Sequence, residues 1–244
     1  MGWDEFRGAR FVNRDMSGAE FRDVLLRGAR MRGVVLDDTD IDGAIDGLRI
    51  NGVEVAPLVE AELDRRHPER VALRPTTITG AREAWAVVES FWAATTERAL
   101  ALPEADLHRS VDDEWSLVQT LRHLVFVTDA WFFHAALGQP HPYHPAGVVP
   151  DFVPEIAALG IDPAAAPSAR EVLALRADRF RRVREFLDGA DQDDLDRVRE
   201  PNPVPGYPPS APRSALQCLR VVLSEEWEHH RFAVRDLDRI TARG

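Results

Sequence analysis

The sequence predicts a mainly α-helical protein, a four-helix bundle preceded by a short repeat domain. From Thr79 onward, apolar residues recur every three to four positions in four long stretches, which is the spacing of one helix face. Before them, large apolar residues recur every five positions, a spacing that fits neither a helix nor a strand. We therefore place the domains at residues 1–56 (repeat domain), 57–78 (short helix and linker) and 79–244 (bundle).

The composition restricts the class of protein. Of the 244 residues, 45% are hydrophobic and 29% are charged, as in ordinary globular proteins. The net charge of −11 argues against a nucleic-acid partner, because that affinity comes mainly from neutralising phosphates. No apolar run approaches the roughly 20 residues of a membrane helix, and the N-terminus does not resemble a signal peptide. We expect a cytoplasmic protein without a membrane partner, and the single cysteine excludes an internal disulfide framework.

The repeat in residues 6–45 has an unbroken ladder of large apolar residues: Phe6, Phe11, Met16, Phe21, Leu26, Met31, Leu36 and Ile41. A chain that turns a corner every five residues would point each of them inward. The ladder resembles the pentapeptide-repeat family, which implies a right-handed, four-sided β-helix of about two coils. Some members of that family imitate DNA, but eight arginines against ten acidic residues in positions 1–50 give too little charge. We therefore interpret the segment as a stabilising or docking appendage.

Turn signals divide the rest of the chain. Asn51-Gly52 within residues 48–55 predicts a small hairpin or a closing strand. A short helix is predicted at 58–66, a proline-containing linker at 68–78, and long helices at about 79–101 and 115–137. The third long helix begins at a capping box, Ser168 to Glu171, and ends at Gly189. The fourth runs from about Ser214 to Thr241, and two long loops connect these helices as in many four-helix bundles.

The fourth helix carries a candidate metal half-site. Glu226 and His230 lie in an apolar stripe, and a carboxylate that faces a core is costly unless it is paired or bound to a cation. The stripe comprises Leu219, Val222, Leu223, Glu226, His230, Ala233, Val234 and Leu237. One interpretation is a pair of metal ligands. The other is an ion pair or hydrogen-bonded pair of Glu226 and His230 in a polar patch, or a rotated helix in which Glu225 and His229, or solvent, take their place.

A third ligand would have to come from another helix. His123, within the second long helix, is the leading candidate, and periodicity permits but does not require that it faces inward. Trp115 opens that helix eight positions before His123, and His229-His230-Arg231 follows in the fourth helix. These motifs resemble the DinB-like superfamily of metal-binding four-helix bundles. The glutamate at position 226 resembles the mycothiol-dependent maleylpyruvate isomerase branch, and the resemblance implies that His123, Glu226 and His230 bind the metal.

The resemblance also implies a chemistry. Two imidazoles and one carboxylate leave a coordination position open on a catalytic zinc ion, where a thiol would be deprotonated. We expect a divalent metal, preferably zinc, with nickel, iron or manganese as alternatives, and a low-molecular-weight thiol such as mycothiol. The first hypothesis is a thiol S-transferase or thiol-assisted isomerase in which the metal-bound thiolate attacks a small electrophilic substrate. The second is a non-catalytic metal-binding stress or detoxification protein whose repeat segment mediates assembly, with a homodimer as one option.

Further residues are candidates for the pocket. Arginines can recognise an acidic substrate or the carboxylate of a thiol, and aromatic or imidazole side chains can line the site; the candidates are Arg231, Arg220, His229 and Trp131. His134, His141, Tyr143 and His144 cluster at and beyond the end of the second long helix; they could form a second metal patch, but we interpret the proline-flanked histidines as part of an exposed loop. Cys218 lies more than two turns from Glu226 and is interpreted as a small buried hydrophobic residue.

Overall fold

A computed structural model describes residues 6–22, 24–150 and 156–242. The chain divides into two compact units, Met1–Ala56 and Pro57–Gly244. Within the described residues no helix is long and apolar enough to cross a membrane.

The N-terminal unit shows the five-residue period in its backbone. The residue two positions after each ladder residue has a positive φ, between +52° and +149°, at Gly8, Asn13, Gly18, Gly28, Gly33, Asp38 and Gly43; Asp23 lies outside the described residues. In three repeats a turn is closed by a 2.9 Å backbone hydrogen bond, as from the Ala9 N–H to the Phe6 carbonyl. Glycine suits these turns because it adopts a positive φ without steric cost.

The ladder residues are exposed in this unit, with exposed fractions from 44% for Met16 to 73% for Phe6. The described residues 6–22 and 24–48 contain turns and no strand. The right-handed β-helix therefore stays a prediction. The following hairpin is confirmed: β1 (Arg49–Ile50) pairs with β2 (Val53–Glu54) in antiparallel register. Its turn residues, Asn51 and Gly52, both have a positive φ, as the tight hairpin turn requires.

Two short helices begin the second unit. Helix α1 spans Ala56–Arg66 and α2 spans Glu69–Ala72. The guanidinium of Arg70 joins them, because it bonds to Glu60 at 2.9 Å and to Asp64 at 2.8 Å.

The mainly α-helical prediction is confirmed by four long helices. They are α3 (Ile78–Leu100), α5 (Leu117–Val127) with a π-helical continuation (Thr128–Ala136), α6 (Ala169–Gly189) and α8 (Ala215–Ala242). Short elements lie between them: α4 (Glu104–Leu107), a 3-10 turn (Ile156–Leu159), α7 (Gln192–Asp196), and β3 (Val198–Arg199) paired with β4 (Arg213–Ser214).

The helix starts follow from local sequence. Ser116 and Ser168 each begin a helix with a capping box, in which Gln119 and Glu171 return the hydrogen bond. Such caps satisfy N–H groups that have no partner within the helix. The predicted start of the third long helix at Ser168 is thereby confirmed.

The core lies between the four long helices. Helix α3 packs against α6 and α8, and α5 packs against the same two helices, so α6 and α8 occupy opposite corners. Large buried side chains fill the centre: Trp85, Leu124, Phe132, Phe133, Leu187, Leu219, Leu223 and Leu237. This arrangement brings α5 beside α8, where the polar site lies.

Candidate metal centre

Three potential metal ligands converge between α5 and α8. His123 comes from α5, while Glu225 and His229 lie four residues apart on α8. The Nε2 atoms of His123 and His229 lie 3.6 Å and 3.3 Å from Oε2 of Glu225. One ligand atom from each residue lies within 4.8 Å of the other two. Ligands that bind one zinc ion at about 2.0–2.2 Å are separated by similar distances, so the three residues fit a single ion.

The surroundings of His123 prepare its Nε2 atom for a metal. Its Nδ1 lies 3.2 Å from the carbonyl oxygen of Val148, so the Nδ1–H donates there and the Nε2 lone pair is left for the metal. Burial lowers the pKa of His123, which keeps the imidazole neutral. The Trp115 ring packs on His123 at 4.8 Å and on His229 at 6.1 Å between ring centroids, and this fixes both ring orientations.

Glu225 supplies the negative charge of the group. Burial opposes ionisation, but contact with the imidazoles of His123 and His229 outweighs it and lowers the pKa of Glu225 to about 2. The carboxylate is therefore ionised at neutral pH. The side chain of Glu225 is 37% exposed, against 5% for His123, so the group opens to solvent on the Glu225 side and a small molecule can reach it.

The predicted ligand Glu226 has an arginine as its partner in the structure. This carboxylate is fully buried, as predicted from the apolar stripe, but it accepts two hydrogen bonds from Arg176 of α6 at 3.1 Å and 2.6 Å. The guanidinium lies over the rings of Trp92 and Phe180 at 4.9 Å and 4.7 Å. The ion pair crosses the centre of the bundle between opposite corners. Glu226 is thus neutralised by an arginine and is not part of the candidate metal-binding group, which consists of His123, Glu225 and His229.

The predicted ligand His230 also has other partners. Its Nε2 lies 2.7 Å from the Thr95 hydroxyl, and its ring packs on Phe91 and Trp92 at 4.3 Å and 5.1 Å. The physical reason is the rotation of about 100° per helical residue, which turns Glu226 and His230 toward α3 and α6 while Glu225 and His229 face α5. Of the alternatives that the sequence left open, a buried ion pair is found for Glu226, with Arg176 as its partner and not His230.

The sequence of α6 contains a sign that Glu226 pairs with an arginine. Arg176 and Arg179 both occur at helical spacing in the same buried stripe as Val172, Val183 and Leu187. Cations in a core stripe need buried anions. Arg176 meets Glu226, and Arg179 bonds to both oxygens of Asp129 at 3.0 Å and 3.1 Å.

The other predicted pocket residues have varied positions. His229 belongs to the group of His123, Glu225 and His229 that could hold a metal ion. Arg231 instead bonds to Glu228 at 2.6 Å, and Arg220 donates to the Pro75 carbonyl at 2.8 Å, so neither is directed at the group. Trp131 contacts Tyr207 at 6.3 Å.

Two interpretations of the remaining candidates can be compared with the structure. Cys218 is fully buried, and burial raises the pKa of its thiol to about 11, which confirms the hydrophobic interpretation. Tyr143 was expected in an exposed loop but is 8% exposed. Its hydroxyl bonds to the backbone of a second loop, which the sequence did not indicate.

A helical bundle with a histidine–glutamate–histidine group between two helices is the class of protein that this geometry defines. Residues 88–233, more than half of the chain, match the DinB superfamily, and the chain belongs to that superfamily. Residues 5–44 match the pentapeptide repeats in eight copies. No curated protein and no solved structure matches the chain. Membership in the DinB superfamily indicates a metal-binding protein, and the group of His123, Glu225 and His229 is where this chain could hold the metal.

Proposed function

We propose that His123, Glu225 and His229 hold a divalent metal ion, preferably zinc, and that the protein is a thiol S-transferase or thiol-assisted isomerase for a small electrophile. The observation that carries this proposal is the convergence of two imidazole Nε2 atoms on one exposed carboxylate. Two histidines and one carboxylate are the ligand set of catalytic zinc sites with an open position. When bound, the metal supplies Lewis acidity that lowers the pKa of a coordinating thiol.

The residues of the chain provide charge and orientation for this chemistry. As metal ligands the two imidazoles would be in the neutral form that binds a metal, so together with the Glu225 carboxylate they would carry one negative charge. A divalent ion would thus leave an excess positive charge, which favours an anionic ligand such as a thiolate. Trp115 and the Val148 carbonyl hold the imidazole rings, so little reorganisation is needed when a ligand enters. The proposed thiol is of low molecular weight, such as mycothiol.

A matched pair of variants tests the metal site. Elemental mass spectrometry on the wild type, Glu225→Gln and Glu226→Gln should give about one equivalent of metal in the wild type and in Glu226→Gln, and little in Glu225→Gln. The two glutamates are adjacent in sequence, so the comparison controls for composition and helix context. Equal metal content in all three proteins would refute the proposed ligand set.

A second candidate function uses the same metal site but involves no catalysed reaction. The pentapeptide repeats favour a non-catalytic metal-binding stress or detoxification protein, because such an appendage can mediate assembly. Titrating the cobalt-loaded protein with small thiols separates the two. New thiolate-to-cobalt absorption supports the thiol-dependent enzyme, while bound cobalt with an unchanged spectrum supports the second function.

A further inference from the structure

The loop between β3 and β4 is anchored on the end of the π-helical continuation of α5. Its Asn202 side chain is buried and donates hydrogen bonds to the carbonyl oxygens of His134 and Gln139 at 3.1 Å and 3.0 Å. Six prolines lie between Glu200 and Arg213, and they reduce the conformational freedom of the unfolded loop. The loop therefore has a defined position on the π-helical segment.

The middle of the loop is held even more tightly. The hydroxyl of Tyr143 donates to the carbonyl of Tyr207 and accepts from its N–H, both at 2.9 Å. A Cβ atom at Gly206 would lie 2.4 Å from the Tyr143 hydroxyl oxygen and 2.5 Å from Nε2 of His134. Only glycine fits this approach. The backbone of Tyr207 is thus fixed from two sides.

These contacts place the Tyr207 ring one side chain away from His123, with Phe126 between them. The ring packs against Phe126 at 5.7 Å, and Phe126 lies 6.2 Å from the ring of His123. Burial and the negative charge of Glu225 raise the pKa of Tyr207, so its phenol stays protonated and can donate. Within the part of the chain that the structure describes, this hydroxyl has no hydrogen-bond partner.

A positively charged side chain, that of Arg213, lies near the Tyr207 ring, with Trp131 between them. The Arg213 guanidinium is 5.4 Å from the ring of Trp131, which in turn contacts Tyr207. Its hydrogen bond is to a backbone carbonyl, that of Ala211, at 3.4 Å. Among the described residues no carboxylate pairs with Arg213. An unpaired hydrogen-bond donor and an uncompensated cation both favour a ligand with acceptor or anionic atoms.

We propose that Tyr207 is a ligand-binding residue of the metal centre. Its hydroxyl donates a hydrogen bond to an acceptor atom of the small molecule that binds beside His123, Glu225 and His229, and Arg213 favours an anionic group on that molecule. The ligand class is a small thiol that carries a carboxylate; this prefers an acidic thiol over mycothiol, whose cysteine carboxyl group is bound as an amide. This proposal rests on the proposed function, because it requires a metal at that group.

Ligand binding to the full-length, cobalt-loaded protein tests this role without an activity assay. Mercaptoacetate and 2-mercaptoethanol serve as probes, and visible absorption reports both cobalt content and ligand binding. In Tyr207→Phe we expect unchanged cobalt stoichiometry and about tenfold weaker binding of mercaptoacetate, as for the loss of one hydrogen bond to a charged group. Gly206→Ala should weaken the same binding, because it displaces Tyr207 and keeps the hydroxyl. Ser210→Ala removes a hydroxyl that donates to the Asn202 carbonyl at 3.3 Å within the same loop and leaves Gly206 and Tyr207 unchanged, so it should bind as the wild type does.

The outcomes separate the two proposals. Equal mercaptoacetate affinity in the wild type and Tyr207→Phe, with cobalt bound to both, would overturn the role of Tyr207 and leave the metal site intact. Cobalt binding without any thiol binding to the wild type would also overturn it. A wild-type protein that does not take up cobalt would refute the proposed function and this role with it. Equal affinities for both probes would overturn the preference for a carboxylate.

Discussion

Replacing Glu226 by glutamine should destabilise the protein without removing its metal. Glu226 is fully buried, and it neutralises an Arg176 guanidinium whose side chain is only 6% exposed. Removing one partner of a buried pair costs about 3–5 kcal/mol, since the other charge stays buried. Glutamine keeps the shape and can accept one of the two hydrogen bonds, and the rings of Trp92 and Phe180 still face the cation. We therefore expect a loss near the lower end, about 3 kcal/mol.

Urea unfolding of the metal-free proteins, followed by circular dichroism, measures this loss. The dependence on urea concentration should keep its slope while the midpoint falls. The double variant Arg176→Met/Glu226→Leu should recover most of the stability, because replacing both members of a buried pair with apolar residues is often neutral. Unchanged stability in Glu226→Gln would refute the ion pair. Loss of metal in Glu226→Gln but not in Glu225→Gln would refute the ligand assignment.

Three further outcomes follow from the structure. Zinc at about 100 times its dissociation constant should stabilise the wild type by about 2.7 kcal/mol but not His229→Ala; a thermal melt measures this, and equal stabilisation would exclude His229 as a ligand. Cys218, which is buried with a raised pKa, should react with Ellman's reagent at pH 8 only after unfolding, and rapid labelling of the native protein would contradict its burial. Ser168→Ala should lower the free energy of unfolding by about 1 kcal/mol through loss of its cap; an unchanged urea midpoint would show that the cap contributes nothing.

Much of the fold was predictable because it depends on local patterns. The apolar spacing predicted four long helices with ends within a few residues of those found, and Ser168 and Asn51-Gly52 predicted a cap and a turn from side-chain chemistry alone. The repeat was recognisable because its period is independent of packing. These features require no knowledge of which helices are neighbours.

The site was harder to predict because it depends on helix rotation. Adjacent Glu-x-x-x-His pairs, Glu225 with His229 and Glu226 with His230, have the same spacing. Which pair faces His123 depends on where α6 places Arg176, a residue 50 positions from Glu226. The role of Tyr207 was equally inaccessible, since it follows from a loop contact with Tyr143 that spans 64 positions. Periodicity describes one helix at a time and contains no information on such contacts.

The π-helical segment Thr128–Ala136 changes the angular positions of side chains around the helix axis. Its hydrogen bonds close one residue farther along the chain than in an α-helix, so each turn holds more residues and successive side chains step round by a smaller angle. Phe132, Phe133 and His134 are consequently all buried in succession, and His134 meets the loop that carries Tyr207. Deletion of Ala135 would favour α-helical hydrogen bonding and would rotate the residues that follow it about the helix axis. The π-helical segment therefore determines which residues of this helix contact the loop that carries Tyr207.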